Sequence, residues 1–194
     1  MGHALLRPTM HPTKKDSRTD MTPFKTILLA AAAMLAGSTG AHAQSGLNDL
    51  QVAHSAYTAD VIDINYAKIA LEKTRNPEVR RFAELMIQDH TAVNEGAGAL
   101  LKKLGVSPQD NAFSQALNKG AEAQNAKLRS LKGRAFDREY ARNELAYHKQ
   151  VNSIVGEIWI PTVQNAEVKE FLTQALVTFR AHEDHAGHMV AALR

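Results

Sequence analysis

The chain has 194 residues, with 23 Lys or Arg, 20 Asp or Glu, nine His and no cysteine. The net charge of +3 belongs to its start: residues 1–43 hold five of the basic and two of the acidic side chains, leaving 18 of each for residues 44–194. The neutral remainder gives no support to nucleic-acid binding, and the lack of cysteine rules out disulfides, thiolate ligands and a cysteine nucleophile.

Residues 1–43 do not read as part of a fold. Lys25, the apolar run Ile27–Ala36 and the small residues up to Ala41-His42-Ala43 make a basic n-region, an h-region and an A-x-A site. A signal peptide over 21–43, cleaved after Ala43, and delivery to the periplasm are therefore expected. Met21 stands where such a peptide should begin, so Met1–Asp20 is expected to be a disordered upstream extension. The apolar run is too short to span a bilayer as a stable helix, and no transmembrane segment is expected in residues 44–194. These form one domain long enough for a proper core, stabilised by packing or by a ligand.

Leu47–Thr74 reads as the first helix, with Leu47, Leu50, His54, Tyr57, Val61, Ile64 and Leu71 on one seam. Beside that seam runs a stripe of Ala56, Asp60, Asp63, Ala67 and Ala70. The break Arg75-Asn76-Pro77 is so short that the first two helices must form an antiparallel hairpin. Asn76 is a natural N-cap, Pro77 suits the first helical position, Glu78 complements the dipole, and Gly105 after Lys102 and Lys103 is a stop signal. Between them Val79, Ala83, Met86, His90, Val93, Ala97, Leu100 and Leu104 step as a bundle seam does. His90 is the one titratable side chain on it.

Gln109–Leu131 is polar, with a weak seam of Phe113, Leu117, Ala121, Leu128 and Leu131, and is expected as a less buried crossover helix with Gly120 as a candidate break. Ala135–Ile160 follows, turning Ala141, Leu145, His148, Val151, Val155 and Ile158 inward and ending at Pro161. Asn165 caps the last helix, whose seam is Val168, Leu172, Ala175, Phe179, His182, Ala186, Met189 and Leu193. Asn76-Pro77-Glu78-Val79 is echoed by Asn165-Ala166-Glu167-Val168, and His90-Thr91-Ala92-Val93-Asn94 by His148-Lys149-Gln150-Val151-Asn152. Two related hairpins joined by a crossover make an all-α four-helix bundle of ferritin-like connectivity.

Three inward seams carry a histidine: His90, His148 and His182. Counted from the helix ends, His148 and His182 differ in height by roughly 6 Å at about 1.5 Å per residue. Glu144, one turn from His148, closes most of that gap, and His185 lies one turn beyond His182. Asp63 with Asp60, His90, Glu144 with His148, and His182 with His185 are thus expected to converge near mid-bundle. Such a mix of imidazole and carboxylate suits Fe, Zn, Cu or Mn better than Ca or Mg. The competing reading is a buried network in which carboxylates satisfy imidazoles and fix helix register. His54 and His188 are expected near solvent, Asp89 is a candidate partner of His90, and Met86 and Met189 read as core filler.

Several stretches resemble a known family. Lys68–Lys73, Asn76–Val79 leading to Met86-Ile87-Gln88-Asp89-His90, Phe136-Asp137-Arg138-Glu139-Tyr140 with His148, and Thr178-Phe179-Arg180-Ala181-His182 are similar to the exported bacterial domain-of-unknown-function family 4142. The resemblance spans Leu47–Leu193 and implies a ferritin-like bundle in the envelope of a Gram-negative bacterium, with no settled activity. It departs from that family's pattern where Asn65 or Asp63 stands in the first helix and Tyr147 stands just before His148. The chain also lacks the Glu-x-x-His pair of di-iron bundles, a nucleophile elbow and a phosphate-cradling glycine loop, so a peroxidase- or oxidase-like enzyme is the least expected reading. Two functions stay open: a periplasmic transition-metal-binding bundle, or a non-catalytic envelope stress or interaction domain with a structural histidine network. A second copy of the chain or another envelope protein remains open as partner.

Overall fold

The computed structural model describes residues 46–194. The expected upstream extension, the signal peptide and its cleavage point lie outside the described residues. Five long helices follow: α1 (Asp49–Lys73), α2 (Pro77–Leu104), α3 (Ala112–Ser130), α4 (Gly133–Ser153) and α5 (Ala166–Ala192). There is no strand among the described residues, and none of their helices is long and apolar enough to cross a membrane.

Asparagine starts four of the five. Asn48, Asn76, Asn111 and Asn165 each turn a side-chain oxygen onto two free amides of the first turn, which relieves the unpaired donors of a helix start. The echoed caps are near-copies: Asn76 accepts from Glu78 and Val79 at 2.8 and 3.2 Å, Asn165 from Glu167 and Val168 at 2.9 and 3.1 Å. Gly105 closes α2 with φ +67°, the left-handed conformation that glycine takes without a side-chain clash.

The chain runs up through α1, down α2, up the crossover α3, down α4 and up α5. End contacts fix these directions. Thr74, at the end of α1, donates to Asp137 at the start of α4 at 2.6 Å, and Asp49 at the start of α1 accepts from the amides of Gln164 and Asn165 at the start of α5. Hence α1, α2, α5 and α4 form a ring of antiparallel neighbours, with α3 lying outside against α1 and α4. That is a ferritin-like bundle with one long crossover.

Three details depart from the sequence reading. The α1 seam expected from Leu47, Leu50, His54, Tyr57, Val61, Ile64 and Leu71 is not the buried face. Val52, Ala59, Ile62, Asp63, Tyr66, Ala67, Ile69 and Ala70 are buried, while Tyr57 is exposed. The reason is that α1 packs on α2, α3 and α4, so a face wider than one stripe turns inward. α3 runs unbroken through Gly120. The end of α4 widens into π-type winding over Ile154–Trp159 before a last turn at Ile160–Thr162. There Ile160 bonds to the Val155 carbonyl five residues back. Pro161 has no amide to offer the preceding turn, and the Thr162 hydroxyl donates to the Ile158 carbonyl at 2.7 Å.

The core is in two parts. One cluster, around Ile62, Tyr66, Val79, Phe82, Met86, Leu128, Phe136, Tyr140 and Met189, fills the end where α2 begins. The other, around Val52, Phe113, Val155, Trp159, Val168, Leu172 and Leu176, fills the opposite end. Between them lies a polar layer. Ile62→Ala is expected to cost about 2–4 kcal/mol, whereas Tyr57→Ser should stay within about 0.5 kcal/mol of the parent. Urea unfolding of the two variants checks which face of α1 is inside.

Candidate functional site

The polar layer is built from one turn of each bundle helix. α1 supplies Asp60 and Asp63, α2 supplies His90, α4 supplies Glu144 and His148, and α5 supplies His182. All six are buried, with Asp63 and Glu144 at 0% exposure. The expected height gap between His148 and His182 is absent: their ring centroids are 5.3 Å apart. Side chains lean toward the N-terminus of their own helix, and α4 and α5 run in opposite directions, so the two rings lean toward one another. His90 joins them at 5.7 Å from His148 and 5.2 Å from His182, and Phe179 stacks on its open face at 5.0 Å.

Each ring has one nitrogen held from outside the cluster. His90 Nδ1 lies 2.7 Å from Asp60 Oδ1, His148 Nδ1 donates to the Glu144 carbonyl at 3.0 Å, and His182 Nε2 donates to Asp89 Oδ2 at 2.9 Å. The other nitrogen of each, Nε2 of His90 and His148 and Nδ1 of His182, is buried without a hydrogen bond. Asp63 enters the same space, its Oδ2 2.7 Å from His90 Nε2 and 3.5 Å from His148 Nε2. The shorter contact is close enough for a charge-assisted hydrogen bond, yet the oxygen lies off the N–H direction, so the attraction is mainly coulombic. Both Asp63 oxygens and Glu144 Oε2 lack hydrogen-bond partners. His90, His148 and His182 each bring one donor atom within 4.8 Å of the other two, and so do Asp63, Glu144 and His148.

Charge in this layer is strongly biased. Burial works against a charged His90, but Asp63 and Asp60 outweigh it and push its pKa up to about 10. Burial likewise opposes the Asp63 carboxylate, and the His90 charge overcomes it, holding Asp63 well below the usual carboxylate range. Glu144 goes the other way: burial and the Asp63 charge push it far up, so it keeps its proton. Burial pushes His148 down, and His182 down to about 4, leaving both rings neutral. The neutral His148 and His182 rings, with their outer nitrogens pinned, turn inner lone pairs into the layer, where the three imidazoles together could hold a cation.

Of the residues expected to meet, the structure brings together Asp63, His90, Glu144, His148 and His182. His185 is not with them. It lies part-exposed with Nε2 3.0 Å from Glu78 Oε1 and its ring edge-on to Phe82; its side chain leaves α5 toward the surface. Asp89 partners His182 across the α2–α5 contact, not its neighbour His90, because it faces α5. Asn65 is exposed, so of the two residues in that part of α1 only Asp63 reaches the layer. His54 sits at the far end, part-buried and 3.7 Å from Asp110, and His188 is exposed.

Three tyrosines around the carboxylates were not foreseen. Tyr66, Tyr140 and Tyr147 have phenol pKa values raised by burial and by the carboxylates nearby. Tyr147 donates to the Ala59 carbonyl at 2.9 Å, while the Tyr140 hydroxyl is buried without a partner. The signal was present: each stands three or four residues from Asp63 or Glu144, the spacing of turn-mates on a helix.

The description "Domain of unknown function (DUF4142)" matches residues 34–189, and the chain belongs to that family. Among solved structures it is similar to the DUF305 fragment from Deinococcus radiodurans, with a TM-score of 0.65 and 17% identity over 74% of this chain and 95% of that one. At that identity the likeness shows a shared fold. No curated protein matches.

With no cation bound, the layer should set the pH dependence of stability. His90 is raised to about 10 from its ordinary 6.5, so its contribution is full below 6.5 and lost as pH rises through 10. Glu144, also raised, loses its contribution in the same direction. His182, lowered to about 4, contributes fully above 6.5 and is lost as pH falls toward 4. Urea midpoints of chelator-treated protein should therefore fall on both sides of a mildly acidic maximum, and His90→Gln should flatten part of the alkaline limb.

Proposed function

We propose that this protein is a periplasmic metal-binding bundle that holds one divalent first-row transition ion between its four core helices. Nε2 of His90, Nε2 of His148, Nδ1 of His182 and a carboxylate oxygen of Asp63 are its ligands, with Glu144 as a neighbouring oxygen donor. The observation that carries this reading is the pattern of satisfaction: the outer nitrogen of every ring has an acceptor, while the inner nitrogens of His148 and His182 have none and that of His90 meets only the Asp63 carboxylate. A buried network evolved only to satisfy itself would pair the inner atoms as well. Three imidazoles and a carboxylate suit Zn, Cu, Fe or Mn, since Ca and Mg require more oxygen ligands. Export rests on the n-region, h-region and A-x-A site at residues 25–43.

The site supports binding more than turnover. Its ligand residues are at most 3% exposed, and the small cavity beside it has about 30 Å³, room for about one or two waters rather than a substrate. Tyr147 points its hydroxyl at a backbone carbonyl of α1 rather than into the ligand set.

One observation favours the second reading, a structural histidine network in a non-catalytic stress or interaction domain. His90 lies between two carboxylates at 2.7 Å each, an arrangement an imidazolium can satisfy alone. Metal analysis of untagged protein from the periplasm, with thermal unfolding in added Zn, Cu, Mn or Fe, separates the two. On the metal reading one ion co-purifies or binds, and a ligand at a hundredfold its Kd stabilises by about 2.7 kcal/mol. Asp63→Asn and His148→Ala should abolish that gain and His185→Ala should keep it. No bound ion and no stabilisation by any of the four would leave the network reading in possession.

A further inference from the structure

A cation held at mid-bundle must cross the wall of the bundle to reach it. Of the three groups that pin the imidazoles, Asp60 is buried and the Glu144 carbonyl is helix backbone. Asp89 alone retains access to solvent, with its side chain 26% exposed. It lies in a surface groove of about 350 Å³ between α2 and α5, walled by Ala92, Val93, Phe171, Ala175 and Thr178. Asp89 is the one charged side chain among the residues that line this groove. Behind it, the small cavity reaches Asp60 and Phe179 and shares Val93, Phe171 and Ala175 with the groove. Those three side chains line both the groove and the cavity, with His182 beside them.

Two further features mark the groove as a path. His182 joins groove and layer: Nε2 meets Asp89 on the groove side, and Nδ1 is one of the unpaired inner atoms. Phe171 lies directly on the α2 backbone, where a Cβ at Gly96 would stand 3.0 Å from its ring. The glycine leaves space for the ring to sit back from the groove, and any larger residue would push it.

On the footing of the metal-binding function proposed above, we infer that this groove is the way in for a hydrated divalent transition-metal ion, with Asp89 as the carboxylate that captures it and His182 as the ring that passes it inward. The carboxylate attracts the hydrated ion, and Gln174 and Thr178 offer uncharged polar groups to its water shell. An ion on Asp89 competes for the oxygen that accepts from His182. The ring, released, turns about its own side-chain bonds and brings a lone pair to the ion before it meets His90, His148 and Asp63.

Stopped-flow uptake of Co(II) by the untagged protein tests this, with release measured by chelator challenge. Ala92 is exposed, so Ala92→Leu fills the groove without disturbing the core; it should slow uptake and release together by about tenfold and leave Kd unchanged. Asp89→Asn should slow uptake by about fivefold and flatten its dependence on salt, while Glu84→Gln, the same charge loss elsewhere on α2, should leave uptake as it is. Parent rates in Ala92→Leu would overturn the groove as the path. A faster release with unchanged uptake in Asp89→Asn would make Asp89 only the group that pins His182, and would overturn its capture role. If the parent protein takes up no Co(II) at equilibrium, the metal-binding function itself fails and the path fails with it.

Discussion

The structure depends on a carboxylate that has no route to water. Asp63 stands at 0% exposure, its charge met only by the His90 and His148 rings and by Glu144. A bare charge in that position would cost several kcal/mol. Its neighbours are arranged around that cost: His90 is driven to keep a proton, Glu144 is driven to keep its own, and His148 presents a ring nitrogen 3.5 Å away. One negative charge thus bears on the protonation of side chains from two other helices, α2 and α4. Remove it and His90 loses its principal partner, Glu144 loses the repulsion that raises it, and the layer has no fixed charge state.

The two apolar clusters on either side make that layer possible. Each closes one end of the bundle with aromatic and aliphatic side chains, so the helices are held in register by packing that does not involve the layer. The layer then acts at a fixed height on a preformed frame, which is what convergent donors from four separate helices require. Antiparallel neighbours add the last correction, since their side chains lean toward one another across each contact. An imidazole on α4 and one on α5 can meet although their backbone positions are offset.

The fold was legible in the sequence because its signals are local. Asparagine caps, a glycine stop and stepped seams on α2 and α5 each state a helix and its boundaries, and the short break at Arg75-Asn76-Pro77 states a hairpin. The face of α1 was not legible, because that helix carries apolar side chains on more than one side and packs on more than one partner; a single-stripe reading follows one side, and the bundle buries a wider one that takes in Ile62, Tyr66 and Ile69 with the alanines. At the site, positions on strong seams were readable: His90, His148 and His182 interrupt otherwise apolar stripes. Asp63 was readable only as a carboxylate among alanines. Asp89 and His185 were misassigned for the same reason, that a sequence gives the height of a side chain on its helix far better than its azimuth toward a particular neighbour. One position of rotation decided that Asp89 meets α5 and that His185 meets Glu78 at the surface.

The same geometry bears on why such a layer would persist in a chain without disulfides. A self-satisfied network of this size is a poor stabiliser, since packed hydrocarbon of equal volume does as well or better. A cation changes the comparison. It would replace the His90 proton as the partner of Asp63, take up the inner lone pairs of His148 and His182, and join α1, α2, α4 and α5 through one centre, so that its binding free energy becomes folding free energy. The groove at Asp89 would set the terms of that exchange. A layer sealed on every side could hold only what it folded around, whereas one with a single carboxylate at a surface groove can equilibrate with the ions outside it. Selectivity would then fall to the interior, where three imidazoles meet two carboxyl groups, and hard cations that passed the groove would find too few oxygens to stay.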